Sequence, residues 1–109
     1  MKLYDNPQAP NTRRVRMFLA EKGISVPTEI VDLRAGDNLK PAFKQKNPCT
    51  QVPMLELDDG NCIAESVAIC RYFEVTQPEP ALFGQGALQS AQVEMWQRRA
   101  EQNVLYPVA

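Results

Sequence analysis

Histidine is missing from the sequence altogether, and with it go the commonest general acid–base group and the usual nitrogen ligand of zinc. Cysteine is scarce and poorly placed for cooperation. Cys49, Cys62 and Cys70 are odd in number and contain no C-x-x-C pair, which excludes a disulfide framework, a thiolate zinc site and a dithiol redox motif. Each is read as a buried, reduced thiol, and no metal is expected. Long apolar runs are lacking too. No stretch approaches the roughly 18 residues that would span a bilayer, and the opening "MKLYDNPQ" has no apolar core of a signal peptide. A cytoplasmic protein with no membrane partner is therefore expected. Excess charge of either sign is also absent. Twelve basic residues against thirteen acidic ones leave a formal net charge of -1, so no overall field draws nucleic acid or anionic lipid. Anion recognition, if there is any, has to be local.

What is present fits one small globular domain and little more: 109 residues, 44% hydrophobic and 23% charged, are too few for two complete domains. "KLYD" (2–5) is a short strand-like run ended by Pro7 and Pro10. Val15, Phe18, Leu19 and the stem of Lys22 then recur at helical spacing until Gly23. "VPTEIVDL" (26–33) offers β-branched residues in partial alternation, and a short helical stretch follows from about residue 39 to 46. The two prolines of "NPCTQVP" forbid regular structure there. "MLELDDGNCIAE" pairs two apolar runs across Asp59-Gly60, a strong hairpin signal. Ser66 is read as the cap of a helix whose Ile69, Tyr72 and Phe73 share a face.

This order predicts an α/β domain, βαβαββα, with a four-stranded mixed sheet and helices on both faces. The expected division is a first domain over 1–76, a linker over 77–87 rich in Pro and Gly, and a helical segment over 88–109. On that last helix Val93, Trp96, Ala100 and Val104 form an apolar stripe with nothing left in sequence to pack against. The stripe either lies back on the first domain, docks in a partner or is the front of an all-helical domain whose remainder is missing, and the last is the reading taken.

Three segments meet at one sheet edge in such a fold, because loops leaving the carboxyl ends of strands converge there: the 7–14 loop, "QVP" and "ES". Pro53 precedes a strand, where proline is tolerated mainly at ends and edges. It is either a plain trans proline or a cis one, which would turn the Val52 N–H and C=O outward to pair with a ligand. Ser66 lacks the acid three positions on that a capping box needs. Its hydroxyl and the first-turn N–H groups suit a ligand carboxylate, and Glu65 suits an ammonium; the plainer reading is a serine cap beside a surface glutamate. Arg13, Arg14 and Arg16 lie where the helix dipole is already positive, with no acid four residues away. Either an anion or a distant carboxylate compensates them, or they are outer electrostatics, domain contacts or solvated surface, which is the reading taken.

Taken in order, "LYDNPQAPNTRRVRMFLAEKGI", "NPCTQVPML", "DDGNCIAES" and "SVAICRYFE" resemble the N-terminal, thioredoxin-like domain of the cytosolic glutathione transferase superfamily, and "QVEMWQRRAEQNVLYPVA" resembles the first helix of that family's second domain. The resemblance implies a cis Pro53, a Val52 that pairs through its backbone with the cysteinyl part of glutathione, and a γ-glutamyl end held by Glu65 and Ser66. Gln51 and Asn38 match positions that reach the glycine end. Many members place a serine, tyrosine or cysteine at the sulfur. Here Ala9 stands at that serine position and cannot donate, so the resemblance points to Asn11 first and Thr12 second as donors to the thiolate. Thr50 stands where the family often has glycine.

The expected protein is thus a homodimeric glutathione transferase acting on a small electrophile, with glutathione as cosubstrate. Two other readings compete: a non-catalytic interaction module on the same scaffold, and a glutathione-dependent disulfide reductase or peroxidase. The Trp96 stripe yields a first prediction. If it is an interface between domains or copies, Trp96→Ala in the full-length protein lowers the thermal midpoint; an unchanged midpoint and unchanged mass in solution would refute that role.

Overall fold

The computed structural model describes residues 1–108, so the final residue of the expected 88–109 segment lies outside the described residues. Strand β1 (Lys2–Asp5) leads through a proline-containing loop into helix α1 (Pro10–Lys22), and β2 (Thr28–Ile30) follows. A 3-10 turn (Asp37–Leu39) and α2 (Pro41–Lys46) precede the hairpin of β3 (Met54–Glu56) and β4 (Cys62–Ala64). Helix α3 (Ser66–Thr76) closes the sheet layer. Helix α4 (Gly86–Ala100) then passes into a π-helical turn (Glu101–Leu105) and a last helical turn, α5 (Tyr106–Val108).

The sheet order is β2-β1-β3-β4, with β1 parallel to β2 and antiparallel to β3, and β3 antiparallel to β4. Alternation along two short strands divides the core. Leu3 and Leu55 face α1 and α3, packing with Val15, Leu19, Ile69, Cys70 and Phe73. Tyr4 and Met54 point to the opposite face, where they meet Val31, Phe43 and Val52. Helices thus cover both faces.

Local chemistry accounts for the boundaries. Pro10 stands in the first turn of α1, where its missing N–H costs nothing. Gly23 ends the helix at φ 69°, its N–H and that of Ile24 returning to Ala20 and Leu19 carbonyls. Strand β2 is shorter than the 26–33 run suggests, because the Asp32 carboxylate accepts the Arg34 and Ala35 N–H groups and folds the chain into a turn. Helix α2 starts at Pro41 rather than near 39 for the same reason that α1 starts at Pro10. At the end of the chain, Pro107 has no N–H to offer the preceding turn, and the helix widens to the i−5 pattern just before it, with the Tyr106 N–H on the Glu101 carbonyl.

The segment after α3 is tied down firmly. The Lys22 side chain is fully buried; its ammonium donates to the Gln77 and Pro80 carbonyls, each at 2.7 Å, and pairs with Glu74 at 2.5 Å. Gln77 returns a bond to the Lys22 carbonyl at 2.8 Å. The Glu74 carboxylate also accepts the Leu82 and Phe83 N–H groups, and Phe83 packs between the Phe18 ring and the Arg71 guanidinium. The linker is therefore a clamp and not a tether.

Helix α4 turns inward a face that shares only Val93 with its apolar stripe. Val93, Gln97, Glu101 and Leu105 are half-buried at four-residue spacing, whereas Trp96 is 62% exposed and Arg99 stacks on its ring. The cysteines also differ among themselves. Cys70 is buried, and that burial pushes its thiol up to about 11. Cys62 is half-buried, whereas Cys49 is exposed and corrects the expectation of three buried thiols. Among the described residues no helix is long and apolar enough to cross a membrane.

Burial by itself would raise the Glu74 carboxyl, but the bonds from Lys22, Phe83 and Leu82 outweigh it and hold the group below its ordinary value. A carboxyl lowered on folding stabilises the native state above the ordinary carboxylate range, and that contribution fades as pH falls through the range. Lys22→Met is expected to cost roughly 3–5 kcal/mol in denaturant unfolding, because Glu74 and two carbonyls lose their partner. Glu74→Gln should flatten the acid limb of stability against pH; an unaltered limb would refute the assignment.

Candidate active site

The site starts from the loop between β1 and α1. Asp5, buried at the end of β1, is held by Arg16, whose guanidinium lies 2.7 and 2.9 Å from the two carboxylate oxygens. The same guanidinium donates to the Pro7 carbonyl and the Thr12 hydroxyl. Thr12 is fully buried, and its hydroxyl lies 2.7 Å from the Asn6 carbonyl and 2.8 Å from that of Ala9. The loop is thus folded onto the first turn of α1. Ala9 is the helix N-cap and supplies no side-chain bond, and the first turn contains no acid. The first intrahelical bond is made by the Arg13 N–H to the Ala9 carbonyl, so the Asn11 and Thr12 amides lie before the ladder begins.

A second wall comes from the turn before β3. Asn47, almost wholly buried, organises it: its Nδ2 donates to the Gln51 carbonyl at 2.9 Å, its Oδ1 accepts the Cys49 N–H, and its carbonyl accepts the Thr50 N–H. Thr50 takes φ 57°, the left-handed conformation that glycine adopts most easily. Asn38 stabilises that conformation from outside by donating to the Thr50 carbonyl at 2.8 Å, while its own Oδ1 stays buried without a partner. The Val52–Pro53 peptide bond is cis, as is Glu79–Pro80. Among the described residues neither the N–H nor the C=O of Val52 makes a backbone hydrogen bond.

The third wall is the start of α3. Its cap is Glu65, with φ 74° and no side-chain bond to the helix; Ser66 is the first helical residue, which corrects the reading of Ser66 as the cap. Positive φ at a non-glycine residue costs of order 1–3 kcal/mol and here coincides with the site edge. The Glu65 carboxylate is exposed, and the Ser66 hydroxyl accepts from Arg14 at 2.6 Å. Arg14 also donates to the Asn11 side-chain oxygen at 3.2 Å.

These walls enclose one side of a cavity of about 340 Å³, lined by Asn11, Arg14, Gln51, Val52, Pro53, Glu65 and Ser66. Gln97, Arg98, Glu101, Leu105 and Tyr106 close the other side from α4 and the turns after it. Glu101 is held in place by Gln97 and by the Tyr106 hydroxyl, so its carboxylate is already engaged. Of the residues singled out in sequence, six reach the cavity. Thr12 and Asn38 do not line it; the Thr12 hydroxyl and the Asn38 amide nitrogen are both turned to loop carbonyls. Asn47 and the α4 wall have no counterpart in the sequence reading, and Arg14, read there as outer electrostatics, domain contact or surface, lines the cavity. Arg14 had a signal, since it lies three residues after Asn11 and shares its helix face, but Asn47 and Gln97 carried none that separates them from ordinary polar residues. No group of three or more candidate metal ligands occurs among the described residues.

An exposed carboxylate, a hydroxyl and free amides at two helix starts, and an unpaired strand-like backbone offer groups complementary to an extended zwitterionic peptide. Comparison with known proteins gives the family. Residues 1–74 match the family model described as "Glutathione S-transferase, N-terminal domain". Over its whole length the chain is 41% identical to glutathione S-transferase 2 of Saccharomyces cerevisiae, covering 48% of that protein. It is 50% identical to a solved class Gtt2 glutathione S-transferase of Vibrio parahaemolyticus, with a TM-score of 0.86 over 97% of this chain and 52% of that one. A glutathione S-transferase domain-containing protein of Marinobacter aquaeolei superposes with a TM-score of 0.92 at 41% identity, over 96% of this chain and 52% of that one. The chain spans about half the length of these relatives. On the match of its first 74 residues and these likenesses, the chain belongs to the glutathione S-transferase family.

Proposed function

We propose that this chain forms the glutathione-binding side of a glutathione transferase that activates the thiol of glutathione for attack on a small electrophile. The observation that carries the reading is convergence: Asn11, Val52, Glu65 and Ser66, from three separate stretches of sequence, line one cavity. Extended glutathione carries an ammonium and two carboxylates with the thiol between them. Glu65 takes the ammonium, and the Ser66 hydroxyl with the first amides of α3 takes the neighbouring carboxylate. Val52 pairs with the cysteinyl unit as an added strand would. Gln51 reaches the glycine end. Asn38 serves that end indirectly, by holding the Thr50 carbonyl and so the turn that presents Gln51.

At the sulfur, the Asn11 side-chain amide donates, and the uncapped amides at the start of α1 add positive potential. Thr12 supports this donor from below, its hydroxyl being committed to the Asn6 and Ala9 carbonyls. The thiol releases its proton to solvent, the thiolate forms a carbon–sulfur bond, and the electrophile loses its leaving group or takes up a proton. A shift of one unit in the thiol pKa needs only about 1.4 kcal/mol of preference for the thiolate, the scale of one charge-assisted hydrogen bond. Neither a histidine nor a protein nucleophile is required. The same reading makes the full-length protein a cytoplasmic homodimer that takes glutathione and a small electrophile, with no metal, nucleic-acid or membrane partner.

The test is a calorimetric titration of the full-length protein with glutathione near neutral pH, in two buffers of different ionisation enthalpy. Binding with proton release is expected. Ser66→Ala should weaken binding about tenfold, close to the worth of one bond to a charged group. Asn11→Ala should raise the pKa of the bound thiol by about one unit while changing affinity little at low pH. No binding at all would overturn the enzyme reading in favour of an interaction module.

A further inference from the structure

Arg14 is the cationic side chain that touches two of the site's donors at once. One terminal nitrogen, with its two hydrogens, lies 2.6 Å from the Ser66 hydroxyl and 3.2 Å from the Asn11 side-chain oxygen. A guanidinium has hydrogens to give and no lone pair to receive them. Each partner must therefore turn an oxygen toward it. For Asn11 this fixes which end of the amide is which: Oδ1 faces Arg14 and the NH₂ group faces away. For Ser66 it uses an oxygen lone pair and leaves the hydroxyl hydrogen to point elsewhere. Without such a neighbour, an amide on an exposed first helical turn flips freely, and half of its orientations present a carbonyl oxygen to whatever lies in the cavity.

We propose that Arg14 is a positioning residue that sets the hydrogen-bond polarity of the site, forcing Asn11 and Ser66 to present hydrogens to bound glutathione. The inference rests on the glutathione-transferase reading and deepens it. The thiolate and the neighbouring carboxylate of the ligand then meet hydrogens from Asn11 and Ser66, while its ammonium is left to the Glu65 carboxylate on the same edge. The sequence context makes the device local. Arg14 follows Asn11 by three residues on one helix face, and the start of α3 brings Ser66 within reach. The other charged or titratable groups on the cavity are Glu65 before α3, Arg98 and Glu101 on the opposite wall, and Tyr106 beyond them. Glu101 is engaged by Gln97 and Tyr106, and Arg98 leans toward Glu94 at 3.7 Å, so neither is bonded to Asn11 or Ser66.

The experiment is a double-mutant cycle in the full-length protein, read by the pH titration of thiolate absorbance of bound glutathione and by calorimetry with S-methylglutathione, which has no thiol to ionise. Arg14→Met should raise the thiol pKa by about one unit, a tenfold loss of thiolate below it. Arg14→Gln, which accepts as readily as it donates, should do the same while keeping the bulk of the side chain, and it serves if the methionine variant folds poorly. In an Asn11→Ala background the effect of Arg14→Met should vanish, because its intermediary is gone. S-Methylglutathione should bind Arg14→Met several-fold more weakly through the loss of Ser66 orientation. Additive shifts would overturn the proposal and make Arg14 a source of field alone, as would an unchanged thiol pKa in both Arg14 variants. A wild-type protein that binds no glutathione would overturn the functional reading itself.

Discussion

The ion pair between Asp5 and Arg16 fixes the loop from which the first wall of the cavity is built. A carboxylate buried at the end of a strand must be compensated, and among the described residues the cation that pairs with it is Arg16 of the following helix. Meeting that requirement pulls the start of α1 against the end of β1 and leaves the connecting loop one shape. Thr12 then ties the Asn6 and Ala9 carbonyls, the helix begins uncapped, and Asn11 and Arg14 emerge on the cavity side. Three arginines that look alike in sequence therefore have three different surroundings. Arg16 holds the loop, Arg14 touches the site, and Arg13 is exposed to solvent.

The edge opposite that loop is built with backbone conformations that side-chain-bearing residues avoid. Thr50 and Glu65 are the non-glycine residues with positive φ among the described residues, and they flank the cavity from two directions. Each is held by neighbours: Thr50 by Asn47 and Asn38, and Glu65 by its carbonyl, which accepts the Ile69 N–H as α3 begins. Strain of this kind persists where surrounding bonds over-determine the chain. It places the Gln51–Pro53 backbone and the Glu65 side chain on the same side of the sheet, where a stretched peptide can touch both. The opposite wall depends on a different constraint. The clamp of Lys22 on Gln77, Pro80 and Glu74 sets where the chain leaves the first layer and so where α4 returns over the cavity.

Much of the fold was legible because it rests on local rules. Gly23, Pro10, Pro41 and Asp59-Gly60 mark boundaries through dihedral preference and the missing N–H of proline, and these act whatever the chain packs against. Asn11, Gln51, Val52, Pro53, Glu65 and Ser66 were legible as a set because their order along the chain resembles a family pattern. Less was legible where two faces of a helix competed. The apolar stripe through Trp96 gave no sign of the other face of α4, where Gln97, Glu101 and Leu105 turn inward because the neighbouring surface is the polar rim of a cavity. The short reach of β2 was hidden for a similar reason: Asp32 captures two amides that a longer strand would have used.

The sequence by itself determined the element order, the proline and glycine boundaries and the residue types available at the edge, since each follows from the covalent identity of one residue or of close neighbours. Only the tertiary structure decided which polar groups are free. Thr12 and Asn38 look as available in sequence as Asn11 and Gln51, but their donors are taken by carbonyls of the chain, while Arg14 gains its role from a serine 52 residues away. A hydrogen-bonding group is spent or free according to what packs beside it, and that is a property of three-dimensional neighbours which no single stretch of sequence encodes.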